Sequence, residues 1–370
     1  MLLAPAALFA EYEAAVTISS PTQTLPSTVE FDAPANISIA YGIYDRAGLT
    51  NGLPSTLSIQ VSNLSDDYNN AYGYRFNNYD APSVTVLGDL MANTTISATN
   101  SSPTGEGIGF FVNGITGSAP LVISQIGGVH HITASSGEGM RLERVTASLI
   151  RADITVNGHE SAIGVNCSAG TSIGEFSGNI TTSGIMSMGL AYASVGTISG
   201  NILSTGYLAY GVLLDYEDSN DCLQHVSGSI EAVSDYEGSG YVSAAIMRGS
   251  AGDSTSQTVN VVTLGDGANI SATNVADKRN AFAIMDGRGN ARIRLVGESG
   301  AGTFHMAGGL LFKGGTTGAT LSLENGTYLW SNLQTHAEGT EFDELGVSAG
   351  ELAVTITDDA KVVLLDDANL

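Results

Sequence analysis

A short phrase recurs along this chain: a small residue, often Asn, then Ile, then small polar residues. It occurs as Ala35-Asn36-Ile37-Ser38, Thr94-Thr95-Ile96-Ser97, His130-His131-Ile132-Thr133 and Ala152-Asp153-Ile154-Thr155. It returns as Gly178-Asn179-Ile180-Thr181, Gly200-Asn201-Ile202-Leu203, Gly228-Ser229-Ile230-Glu231 and Ala268-Asn269-Ile270-Ser271. From Ile132 onward the intervals are 22, 26, 22, 28 and 40 residues. A second phrase follows each time, an apolar run spaced by Gly or Ala. Examples are Tyr41-Gly42-Ile43, Tyr72-Gly73-Tyr74, Ile108-Gly109-Phe110-Phe111, Ala162-Ile163-Gly164-Val165, Met188-Gly189-Leu190 and Tyr210-Gly211-Val212. A third strand-like run, such as Ser172-Ile173-Gly174-Glu175-Phe176, leads into the next Ile phrase.

Three short strands in a period of about 22 residues leave no room for a helix, which is the arithmetic of a parallel β-helix. The expected fold is therefore all-β: a right-handed, single-stranded parallel β-helix with three strands per coil and about a dozen coils. Each strand pairs with its equivalent one coil away, about 4.8 Å along the axis. One coil cannot bury its own apolar side, so stacking must build the core, with the isoleucines at 132, 154, 180 and 202 in one column. Asn36, Asn179, Asn201 and Asn269 are expected to form a partial ladder of stacked amides. Intervals longer than 22 read as corner loops at 214–225, 248–258 and 274–280. All eight prolines lie at or before Pro120. Proline removes a ladder donor, so its absence beyond that point fits uninterrupted pairing.

The chain divides on these signals into residues 1–10, which read as the tail of a secretory signal; 11–120, more irregular coils; 121–300, the regular core; and 301–370, a β-rich continuation without the Ile phrase. The start ends in small residues before Glu11 but has no basic segment. No stretch approaches the roughly 20 apolar residues of a membrane-spanning helix. The 370 residues carry 46 Gly, 13 Lys and Arg, and 37 Asp and Glu, for a net charge of −24. That charge repels phosphate backbones and anionic lipid, so nucleic acid is not an expected partner. Cys167 and Cys222 are too few for a disulfide scaffold; they can pair if their coils meet, or stand as two small unpaired residues.

Coils such as Val195-Gly196-Thr197-Ile198-Ser199-Gly200-Asn201-Ile202 and Phe176-Ser177-Gly178-Asn179-Ile180 resemble the degenerate repeats of bacterial autotransporter passenger domains. The resemblance covers roughly residues 30–300. It implies a passenger displayed on the bacterial outer surface by a C-terminal membrane β-barrel. No series of long amphipathic barrel strands occurs within this chain, so the barrel is expected outside it.

Parallel β-helices also include polysaccharide lyases and glycoside hydrolases. Glycosidases need two carboxylates flanking a cleft, and adjacent acids occur at Asp66-Asp67, Asp358-Asp359 and Asp366-Asp367. The Asn-Thr-Asp, Asp-Asp, Gly-His-Gly and Arg-Ile-Lys set of polygalacturonase-like enzymes is not present in order; Arg292-Ile293-Arg294 resembles its last member alone. Asp215, Glu217, Asp218 and Asp221 sit in one acidic loop that offers oxygen ligands for Ca²⁺, but without EF-hand spacing, so a solvated loop is the simpler reading. Gly252-Asp253-Ser254 lacks the glycine that follows in serine-protease segments. His130, His131, His159, His225, His305 and His336 show no metal-ligand spacing, and His130-His131 should face opposite sides of a strand. Eight Asn-x-Ser/Thr sequons are compositional in so Asn-rich a chain. No cofactor is expected.

The favoured function is a non-catalytic, secreted or cell-surface rod that presents corner loops to a host-cell or glycan surface. Tyr41, Tyr44, Tyr68, Tyr72, Tyr74 and Tyr79 are candidates for glycan stacking, unless they face the core. The basic group Lys278, Arg279, Arg288, Arg292 and Arg294 suits an anionic glycan, or balances neighbouring carboxylates. A polysaccharide-active enzyme is the alternative, and a phage tailspike-like fibre the third.

Overall fold

The computed structural model describes residues 12–34, 37–64, 70–98, 105–114, 119–168, 170–214, 223–235, 243–248, 259–287, 291–312, 318–334, 341–342, 347–348 and 350–365. The chain winds into a parallel β-helix. Every pairing among its main strands is parallel, and the one antiparallel pair described is a short hairpin, Glu341–Phe342 with Val347–Ser348. The three phrases of the repeat become three stacked sheets, here called the isoleucine, glycine and closing sheets. Val145–Cys167 and Asn179–Ile198 each run through more than one sheet as continuous strand.

Inside the isoleucine sheet, Ile154, Ile180, Ile202, Ile230 and Ile270 align in one column, each at most 2% exposed. Met306 and Trp330 extend it toward the C terminus, where the Trp330 indole N–H donates to the Gly308 carbonyl at 2.8 Å. The expected membership of Ile132 needs correction. Ile132 stacks between Ile96 and Val156, one inward position further along the strand, and His130 takes the place beside Ile154. Both positions face inward, so a slip of two residues preserves burial and escapes any pattern based on alternation.

The glycine phrase exists because of the isoleucine column. A Cβ on Gly139, Gly164, Gly189 or Gly211 would lie 2.3, 2.5, 2.1 or 2.4 Å from the Cγ2 of Ile154, Ile180, Ile202 or Ile230. Each would also press on the carbonyl of the following coil's equivalent residue, at 2.6, 2.5, 2.5 and 2.7 Å. At each such glycine the in–out alternation of the strand breaks while the register with the neighbouring coils is kept. Ala40 and Ile43 therefore both belong to the core while Tyr41 and Tyr44 belong to the outer face.

The buried carboxylate of Asp45 closes the turn that follows its strand. It accepts from the N–H groups of Ala47, Gly48 and Leu49 at 2.9, 2.8 and 2.8 Å, and from the Tyr74 hydroxyl at 2.8 Å. Burial, reinforced by Asp45, pushes the Tyr74 hydroxyl far above its ordinary pKa, so it remains a donor. Tyr74→Phe removes one of four donors and is expected to cost about 1 kcal/mol, read as a lower denaturant midpoint.

Candidate functional site: an aromatic and cationic face on the glycine sheet

The break in alternation that turns the glycines inward leaves two side chains per coil on the outer face. In strands Ile39–Asp45, Asn70–Asn77 and Glu106–Asn113 and the two coils that follow, these form two columns. One reads Tyr41, Tyr72, Ile108, Glu138, Ile163; the other reads Tyr44, Arg75, Phe111, Arg141, Asn166. Further along the rod the same columns become an apolar cluster that includes Met188, Tyr210, Met247 and Phe282.

Arg75 is set among rings. Its guanidinium carbon lies 5.1 Å from the Tyr41 ring centre, 5.3 Å from Tyr44 and 5.6 Å from Phe111, and it donates a hydrogen bond to the Tyr41 hydroxyl. Its Nε is buried and has no hydrogen-bond partner among the described residues. Tyr41 and Tyr44 stack at 5.1 Å, Tyr72 lies 5.3 Å from Tyr41, and the exposed Tyr12 meets both members of the stack edge-on. Such arrangements contribute about 0.5–2 kcal/mol per cation–ring contact, depending on desolvation.

Two coils along, Arg141 joins two carboxylates. It pairs with Glu106 and, at 2.7 Å, with Glu138, and it lies over the other side of Phe111 at 5.7 Å. Asn166 donates to Glu138 at 2.9 Å and Tyr72 donates to Glu106 at 2.8 Å. Desolvation disfavours the Arg141 charge, but Glu138 and Glu106 outweigh it and raise its pKa. Burial, with help from Asp80, which accepts the Tyr44 hydroxyl at 2.7 Å, pushes Tyr44 up to about 12. Burial likewise raises Tyr41 and Tyr72. The phenols stay protonated and the charges paired on a face that is largely covered: Tyr41, Tyr72, Ile108 and Glu138 are buried, and Tyr44, Arg75, Phe111 and Arg141 half-buried. Glu106 and Glu138 are tied to one guanidinium, an arrangement that positions and neutralises rather than relays protons.

Of the residues singled out from sequence, Tyr41, Tyr44 and Tyr72 stand on this face, while Tyr74 points into the core and its hydroxyl serves Asp45. Tyr79 is 64% exposed, away from the columns. Arg292 and Arg294 lie in the closing sheet, Arg292 in register with Thr320. Arg294 is held by Glu324, Nε to Oε1 at 2.7 Å, which lowers the Glu324 pKa, and Arg279 pairs with Asp277 at 2.8 Å. Tyr68, Arg288, Asp215, Glu217, Asp218 and Asp221 lie outside the described residues, as do Asn36, the Gly252-Asp253-Ser254 segment and Cys222. Cys167 is buried in the glycine sheet. Among the described residues no group of three or more His, Cys, Asp or Glu could hold a metal. No helix there is long and apolar enough to cross a membrane.

Sequence reading missed Arg75, Phe111, Arg141, Glu106 and Glu138. The signal was present: Glu138-Gly139-Met140-Arg141 is a second phrase whose outward residues are charged rather than apolar. No family model, no curated protein and no solved structure matches this chain, so the geometry of this face is what bears on its function.

Proposed function

We propose that this chain is a non-catalytic adhesive rod of the autotransporter-passenger kind. It is displayed on a bacterial surface by a membrane barrel encoded elsewhere in a longer product, and it meets carbohydrate through its aromatic and cationic face. The observation that carries this reading is Arg75: a guanidinium held among three rings, with a buried Nε that no described residue satisfies. Rings stack on the C–H faces of sugars, and a fixed guanidinium donates to their hydroxyls or carboxylates. The pairing of Glu106 and Glu138 with Arg141 supports a binding role over an acid–base one.

The test is a glycan array probed with the labelled chain and with Arg75→Ala and Tyr44→Ala. The wild type should bind a defined subset, and each substitution should weaken that binding about tenfold, equivalent to 1.4 kcal/mol. Binding that is indifferent to both substitutions would remove this face from the reading. Release of reducing ends from a polysaccharide, abolished by Glu138→Gln, would instead establish the glycan-cleaving alternative.

A further inference from the structure

A groove runs lengthwise along the corner where the closing sheet passes into the isoleucine sheet. Four successive coils turn there through Gly128-Val129, Arg151-Ala152-Asp153, Ser177-Gly178-Asn179 and Ser199-Gly200-Asn201. Its floor is bare backbone for a steric reason. Gly128 and Gly178 have φ of 113° and 149°. A Cβ on Gly178 would sit 2.2 Å from the Ala152 carbonyl oxygen, and one on Gly200 2.2 Å from that of Gly178. No side chain can fill the floor, and a trough of about 720 Å³ stays open.

The two walls repeat with the coil. On one side two members of the expected amide ladder stack: Asn201 Nδ2 donates to Asn179 Oδ1 at 3.0 Å, and Asn179 Nδ2 donates to Asp153 Oδ1 at 2.7 Å, whereas Asn269 donates to Ser229 and Glu231 instead. On the other stand Ser177 and Ser199, the latter donating to Glu175 at 2.6 Å. Each ladder amide spends one N–H on its neighbour and keeps a second N–H. Ser177 with Asn179 and Ser199 with Asn201 give two successive coils the same donor–acceptor set, about 4.8 Å apart, while the next coil offers the Asp153 carboxylate and Arg151, and the one beyond it Val129. An extended β-1,4-linked polysaccharide advances by nearly the same step per sugar ring, with successive rings turned over, so each coil meets one ring and equivalent hydroxyls return at every second coil. Val129, 39% exposed, and Met91 add an apolar surface at the N-terminal end for a sugar's C–H face. The lining carries one Arg and one Asp, and the body carries −24, so a polyanion is repelled.

We infer that this corner groove binds an extended, uncharged, β-linked polysaccharide lengthwise, one sugar over each coil. The site is separate from the aromatic and cationic face and stands or falls independently of it.

The experiment is calorimetric titration of the full chain with hexasaccharides of β-1,4-linked glucose, mannose, xylose and N-acetylglucosamine, then with shorter members of whichever series binds. Affinity should rise with each added sugar up to about four, the number of coils whose corners form the floor of the trough. Ser199→Tyr, at an exposed position, places a ring in the trough. It should weaken binding at least tenfold with no change in denaturant midpoint, while Arg75→Ala leaves that binding intact. The inference is overturned if none of the four hexasaccharides binds, if affinity does not depend on length, if Ser199→Tyr binds as tightly as wild type, or if polygalacturonate competes as well as the neutral chain.

Discussion

Replacing Gly189 by Val is expected to destabilise the rod by at least about 3 kcal/mol, at the upper end of overpacking costs in a packed core. The reason is local and doubled. The new Cβ would lie 2.1 Å from the Cγ2 of Ile202 and 2.5 Å from the Gly211 carbonyl oxygen. The first obstacle is the far sheet of the same core, and the second is the backbone of the following coil itself. Trimming Ile202 to Ala relieves the first contact and not the second, so the double variant should recover only part of the loss while adding a cavity of its own. Gly267 is the control: it has φ of 78° and nothing within 4 Å of an added Cβ, so Gly267→Ala should cost only about 1 kcal/mol, through backbone conformation. Equal denaturant midpoints for Gly189→Val and Gly267→Ala would show that the glycine phrase is not a packing device. Because each coil rests only on its neighbours, hydrogen exchange should locate the loosening in the coils around 164–214 rather than along the whole rod.

The coil period and three strands per coil were legible because each phrase repeats a burial pattern. The facing of Gly against Ile was not, since it joins two phrases across the core rather than along the chain. Nor was the slip that puts His130 beside Ile154, because both inward positions of a strand look alike to an alternation rule. His130 and His131 do face opposite sides, the first buried and the second exposed, as strand geometry requires. The outer face was hidden for a related reason. Tyr41, Tyr72, Glu106 and Arg141 are separated by some thirty residues each, and only the coil register makes them neighbours. A search for apolar runs passes over Glu138-Gly139-Met140-Arg141, although its glycine marks it as the same strand one coil on.

His130 makes the stability of this rod fall as pH drops from about 6.5 toward 4. The imidazole is fully buried. Its Nδ1 lies 2.8 Å from Thr94 Oγ1, the Phe110 ring meets it edge-on at 4.6 Å, and its Nε2 has no hydrogen-bond partner among the described residues. Burial, with a smaller contribution from the neighbouring His131, lowers its pKa to about 4, against a weaker upward pull at the Gly127 backbone. The folded protein therefore keeps this ring neutral in a range where the unfolded chain protonates it. Above pH 6.5 the group contributes no pH dependence. Below it the unfolded state binds one proton more, and the loss accumulates to roughly 3 kcal/mol by pH 4. Glu143, whose pKa burial raises, acts in the opposite direction by favouring its protonated form in the fold, so the net slope is somewhat shallower. The double variant Thr94→Val/His130→Ile extends the inner column with apolar side chains beside Ile154 and leaves no hydroxyl stranded. Denaturant midpoints at pH 7.5 and 4.5 should differ markedly in the wild type and far less in the double variant. An equal drop in both would assign the acid sensitivity to surface carboxylates and exclude the buried ring as its source.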